Sequence, residues 1–226
     1  MSGRVTEDRI RELARDLAPV KPIPRLRVVG AVVLVTWALA FVADELLGGR
    51  ALRPAADPAW ASPSYLAALL GIALAALGAT GAALASAVPG REGTARIGLR
   101  VTALGLALAL AGWILGVSGG AGDHAGESAG AVLSCAGRAL ALGVVPALLA
   151  CGFAARAALR RPVLAAGMAL AGGVALGAVA VHASCPSNSP LHQLVAHTLA
   201  PVAAAALFTA PLAALLSHWG RRARAS

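Results

Sequence analysis

Charge is what this chain has least of. Only 13% of its 226 residues are Asp, Glu, Lys or Arg, against about a quarter in an ordinary globular chain. With 58% hydrophobic residues, that shortage excludes a large soluble core and points to a membrane protein. Lysine is nearly missing: the basic residues are 18 Arg and one Lys, a usage that, with the abundant Ala, fits a GC-rich bacterial genome. The three cysteines have no CxxC or CxxH spacing, which excludes a zinc ribbon or a c-type haem site. Alternation of polar and apolar positions is lacking as well, which excludes a β-barrel.

What is there is a set of long apolar runs. A helix needs about 20 mostly apolar residues to cross a bilayer. Six segments qualify, near 28–47, 65–88, 97–117, 131–153, 162–183 and 191–216. The first is interrupted near its end by Asp44 and Glu45. The fold class expected is all-α: a polytopic membrane protein of six transmembrane helices with a short cytoplasmic N-terminal amphipathic helix. Three regions follow: 1–27, the N-terminal helix and a proline-spaced linker; 28–217, the transmembrane domain; and 218–226, a basic tail.

The few charges set an orientation. Arg4, Arg9, Arg11, Arg15, Lys21, Arg25 and Arg27 precede the first run. Arg91, Arg96 and Arg100 follow the second, Arg156, Arg160 and Arg161 the fourth, and Arg221, Arg222 and Arg224 the sixth. All share one side of the membrane. The other side holds Arg50 and Arg53 alone, and Arg138 lies within the fourth run. By the positive-inside rule both termini are cytoplasmic. The +9 charge therefore encodes topology, and no direct nucleic-acid contact is expected. A cleaved signal peptide is disfavoured, because the segment before the first run is long and carries Glu7, Asp8, Glu12 and Asp16. Trp60, Trp113 and Trp219 fall near span ends, where an aromatic belt would sit, and Trp37 lies deeper, against a neighbouring helix. Gly173 and Gly177 are spaced for close helix packing within the bundle. Pro146, Pro201 and Pro211 lie inside spans, which makes the sixth a candidate moving part.

Residues 6–18, TEDRIRELARDLA, read as a short helix capped by Thr6. Ile10, Leu13, Ala14 and Leu17 recur at i, i+3, i+4 and i+7 and form one apolar stripe. Alone in water such a helix is marginal, so the stripe wants a partner. Either it lies on the inner leaflet of the lipid bilayer or it docks in the groove of a cytoplasmic protein. PVKPIPRLR then leads into the membrane as an extended linker.

The outer side gathers the chemistry. Cys185 lies in VHASCPSNSPL, between spans five and six, and Cys135 lies near the outer end of span four. Cys151 is 16 residues from Cys135, roughly 24 Å along a helix, so it cannot join them. His182 and His192 flank Cys185, and His197 sits further into span six. Arg138 follows Cys135 by three residues on one helical face, where it would favour the thiolate. Three readings stay open: a structural disulfide or inert thiols, a redox-active or metal-sensing pair, and a metal centre that includes histidines.

The order of these parts carries a resemblance. An N-terminal helix ending DLAPVKPIPRLR, six spans, a cysteine early in span four and a CPSNSPL loop entering span six resemble the NrsF-like integral membrane anti-sigma factors. These are negative regulators of extracytoplasmic-function sigma factors. The likeness covers essentially the whole chain and departs after the Cys-Pro loop, where LHQLVAHTLAP replaces an aromatic-rich helix start. It implies that the cytoplasmic N-terminus, through Ile10, Leu13, Ala14 and Leu17, holds a sigma factor. It implies that Cys135 and Cys185 are sensor cysteines, responding to metal or oxidative stress; Arg138, His182 and His192 are their possible neighbours by position in the sequence. A sigma factor, the bilayer and a transient metal ion are then the partners; no cofactor and no enzymatic activity are expected. A transporter is the alternative, weakened by the lack of midplane Asp or Glu. A membrane thiol oxidoreductase is another, weakened by the presence of a single cysteine pair.

Overall fold

The computed structural model describes residues 25–48, 52–119, 128–156 and 161–225, with side chains to His218. Among these residues every long element is a helix. The six long apolar segments form α1 (Leu26–Leu47), α2 (Pro63–Ser86), α3 (Glu92–Ser118), α4 (Ala129–Ala155), α5 (Pro162–Ser184) and a composite sixth helix. The sixth begins as α6 (Pro190–Leu194), widens into a π-helical turn (Val195–Leu199) and continues as α7 (Ala200–Ala225). The six are long and apolar enough to cross a membrane. The N-terminal stripe Ile10, Leu13, Ala14 and Leu17 lies outside the described residues, and the backbone of the basic C-terminal segment continues α7 to Ala225.

The starts of the helices follow from local chemistry. Ser62 caps α2 by accepting a hydrogen bond from Tyr65 N, and Pro63 occupies the first turn, where its missing N–H costs nothing. Ser128 caps α4 through Ala131 N, and Ser189 with Pro190 opens the sixth helix through His192 N.

Small residues set how closely the helices approach. A Cβ on Gly78 of α2 would lie 2.6 Å from Thr102 N of α3, and one on Gly105 would lie 2.6 Å from Gly71 O. Gly173 and Gly177 of α5 meet Gly143 and Ala139 of α4 with as little room, so the GVALG spacing serves packing within the bundle. Large apolar side chains such as Leu39, Leu110, Leu148 and Leu207 point outward, as lipid-facing positions do.

The interior divides into two ends. Ala83, Leu84, Cys151, Ala165, Ala213 and Leu216 form an apolar cluster at one end, with Leu26 and Val29 of α1 against it. Ile72, Trp113, Leu142, Val181 and Cys185 form the other, with Trp37, Phe41 and Cys135 packed on it. Trp113 is thus no interfacial belt residue: it is 2% exposed, and its indole N–H donates to Thr198 Oγ1 at 3.1 Å. Trp37 does pack against neighbouring helices, stacked on Phe41.

Candidate functional site

The cysteine end of the bundle is where the polar groups converge. Cys135 projects from the second turn of α4. Cys185 is the residue at which α5 ends: its φ of −69° and ψ of 125° leave the helix, while its N–H still reaches Val181 O at 2.7 Å. The two sulfurs sit 3.7 Å apart, with both thiols free. Hydrogen bonding to Cys135, and then burial, hold the Cys185 thiol above the ordinary range.

Two histidines of the sixth helix complete the group. His192 Nε2 lies 3.6 Å from Cys185 Sγ. One ligand-capable atom from each of Cys135, Cys185, His192 and His197 falls within 4.8 Å of the others. Cys135 is half-buried and the other three are buried, so access to the group runs past Cys135. Beside His197 and Thr198 an apolar cavity of about 280 Å³ extends toward Ile72, Met168 and Pro201.

His182 is not one of the four. Its ring stacks on Tyr65 at 4.3 Å and meets the edge of Trp113, and its Nδ1 lies 3.1 Å from His197 Nδ1. Tyr65 OH donates to the His182 carbonyl at 2.9 Å, fixing the last turn of α5. His182 therefore supports His197 and does not flank the sulfurs, although it is three residues from Cys185 in the chain.

Arg138 also differs from expectation. Its guanidinium is engaged by two carboxylates on α1. Nε donates to Asp44 Oδ2 at 2.5 Å, Nη2 pairs with Glu45 Oε1, and Nη1 donates to Ser184 Oγ at 2.9 Å. Carboxylates are stronger partners for a guanidinium than a thiol is, and two within reach decide its orientation. The acids that interrupt the first apolar run and the lone Arg of the fourth are thus one half-buried cluster, which ties α1 to α4 and α5.

Arg53 is a residue the sequence reading left unassigned. It is 6% exposed. Its guanidinium donates to Asn188 Oδ1 at 2.7 Å, Ser187 O at 2.6 Å and Asp57 Oδ2 at 3.1 Å, and lies over the Tyr65 ring. It pins the 185–189 loop across the cysteine end. The signal for it was its position: with Arg50 it is one of two basic residues on the charge-poor side.

The fold defines a multi-pass helical membrane protein with a largely buried Cys₂His₂ group at one end. No protein-family model, curated protein or solved structure matches this chain.

Proposed function

We propose that the protein is a membrane-bound anti-sigma factor of the bacterial inner membrane, with both termini cytoplasmic. Its N-terminal segment holds an extracytoplasmic-function sigma factor, and chemistry at Cys135 and Cys185, on the outer side, releases it. The observation that carries this reading is the connection between the two. Arg138 lies one turn from Cys135, its Nη1 reaches Ser184 beside Cys185, and its other contacts are Asp44 and Glu45 of α1. α1 is the helix into which the N-terminal segment leads. A change in the spacing of the two sulfurs displaces Arg138 and Ser184 together, and the ion pairs pass that displacement to α1. Such a signal shifts the holding state only by favouring the releasing one.

The test is co-purification from the native host. The full chain should carry an extracytoplasmic-function sigma factor through detergent extraction. Leu13→Asp with Leu17→Asp should abolish that association while leaving membrane insertion intact, because a carboxylate in the stripe would face an apolar groove unpaired. Absence of any sigma factor with the intact chain, or its undiminished retention by the double variant, would overturn the proposal.

A further inference from the structure

We infer that Cys135, Cys185, His192 and His197 form a four-coordinate site for a thiophilic divalent cation of the Zn²⁺ class. The inference deepens the reading above and rests on it only for the ion's meaning as a signal; the binding chemistry stands on the site itself.

Two edges of the group carry it, the other pairs of ligand atoms lying within 4.8 Å of one another. With metal–sulfur bonds near 2.3 Å and metal–nitrogen bonds near 2.0–2.1 Å, a tetrahedron has a sulfur–sulfur edge of about 3.8 Å and a sulfur–nitrogen edge of about 3.6 Å. The chain holds its two sulfurs 3.7 Å apart and Cys185 Sγ 3.6 Å from His192 Nε2. The group is assembled from α4, the end of α5 and the sixth helix, so binding closes three elements on one point.

The surroundings select the form of the ligands. His197 is 1% exposed, and its Nε2 makes no hydrogen bond. Its Nδ1 faces His182 Nδ1 at 3.1 Å. When His197 donates Nδ1–H to His182, Nε2 keeps its lone pair for a metal. An outer partner of this kind is what fixes the tautomer of metal-binding histidines. His182 is in turn held between Tyr65 and Trp113.

The charge balance selects the ion. Binding breaks two S–H bonds, releases two protons and forms two metal–sulfur bonds, with no electron transferred. Two thiolates and two neutral imidazoles cancel a divalent ion, leaving no net charge in a buried site where an uncompensated one is costly. Sulfur and imidazole together favour borderline and soft cations over Mg²⁺ or Ca²⁺.

The test uses the purified, reduced full chain in detergent, titrated with Co²⁺, whose visible bands report tetrahedral thiolate coordination. One equivalent should bind with intense bands, and Zn²⁺ should displace it. His192→Ala and His197→Ala should each weaken binding at least as much as the roughly 10- to 100-fold typical of losing an outer partner, and His182→Gln should fall within that range. His192→Cys, which restores a ligand, should recover tetrahedral bands; it keeps the test valid if an Ala variant folds poorly. Cys151→Ser should bind like the parent chain. Weak octahedral bands in the parent chain, or parental affinity in both Ala variants, would overturn the site. No sigma factor is present in this assay, so its failure and the failure of co-purification are separate results.

Discussion

One guanidinium joins three helices. Arg138 is 11% exposed in its side chain, as is Glu45, and it balances two carboxylates where water is scarce. Removing one partner of this half-buried cluster leaves its carboxylates uncompensated, at a cost below the about 3–5 kcal/mol of a fully buried pair, on the order of 1–3 kcal/mol. Arg138→Met should therefore lower the thermal stability of the detergent-solubilised protein by about that much, followed by circular dichroism. Asp44→Asn with Glu45→Gln, added to Arg138→Met, should recover most of the loss, because groups acting as one unit are not additive. The sequence placed Arg138 on the same helical face as Cys135, which is true of the backbone; the side chain answers to stronger partners that the first span supplies. His197 was harder to place. Five residues after His192, it would sit about 140° round an ideal helix at 3.6 residues per turn. The π turn, closed by the Ala200 N–H to Val195 O hydrogen bond, widens the helix there and lets both rings face the sulfurs.

At the scale of helices, the fold was legible because membrane spans are written in length and composition. Each of the six runs became a helix, since few other structures satisfy the backbone in lipid, but the third begins earlier than expected, at Glu92, and the sixth runs past its expected end at 216 to Ala225. The packing pattern was less legible. GVALG was read as a close-packing spacing, and it is one, but α2 and α3 use Gly71 and Gly78 against Gly98, Gly105 and Gly112, a seven-residue spacing that four-residue motifs do not reveal. Gly105→Leu should destabilise the bundle by about 1–3 kcal/mol or more, because the added side chain meets the α2 backbone at Gly71 and Ala75. Gly81→Ala, where nothing lies within 4 Å of the new Cβ, should be neutral in the same thermal assay. Greater stability of the Gly105 variant would mean that α2 and α3 do not approach as described.

For the whole molecule the two ends are unlike. The buried histidines, the Arg53 network and the Arg138 cluster lie at the cysteine end, while the cluster around Cys151 is apolar. The proposed orientation puts the first outside. Pro186 is exposed in the loop after Cys185, and Thr94 is exposed near the opposite end, at the start of α3. In a chain with all three native cysteines replaced by Ser, a membrane-impermeant maleimide on intact spheroplasts should label Pro186→Cys and spare Thr94→Cys until the cells are opened. The reverse pattern would invert the topology. The native Cys185 is a poor reporter, being 1% exposed. This burial could not be read from a Ser- and Pro-rich loop, because it depends on Arg53, which crosses from another loop to pin it.

The π turn has a consequence for length. It behaves as one residue inserted into an otherwise regular helix, and everything beyond it is displaced by about 100°, the rotation of a single residue. A chain shortened by one residue between Val195 and Leu199 would gain a regular helix and better local hydrogen bonding. It would also face a choice between turning His192 off the sulfurs and turning α7 off its seat against α5. A substitution in this segment changes one side chain, but a one-residue deletion changes the phase between the site and the rest of its helix. Length here is as informative as identity.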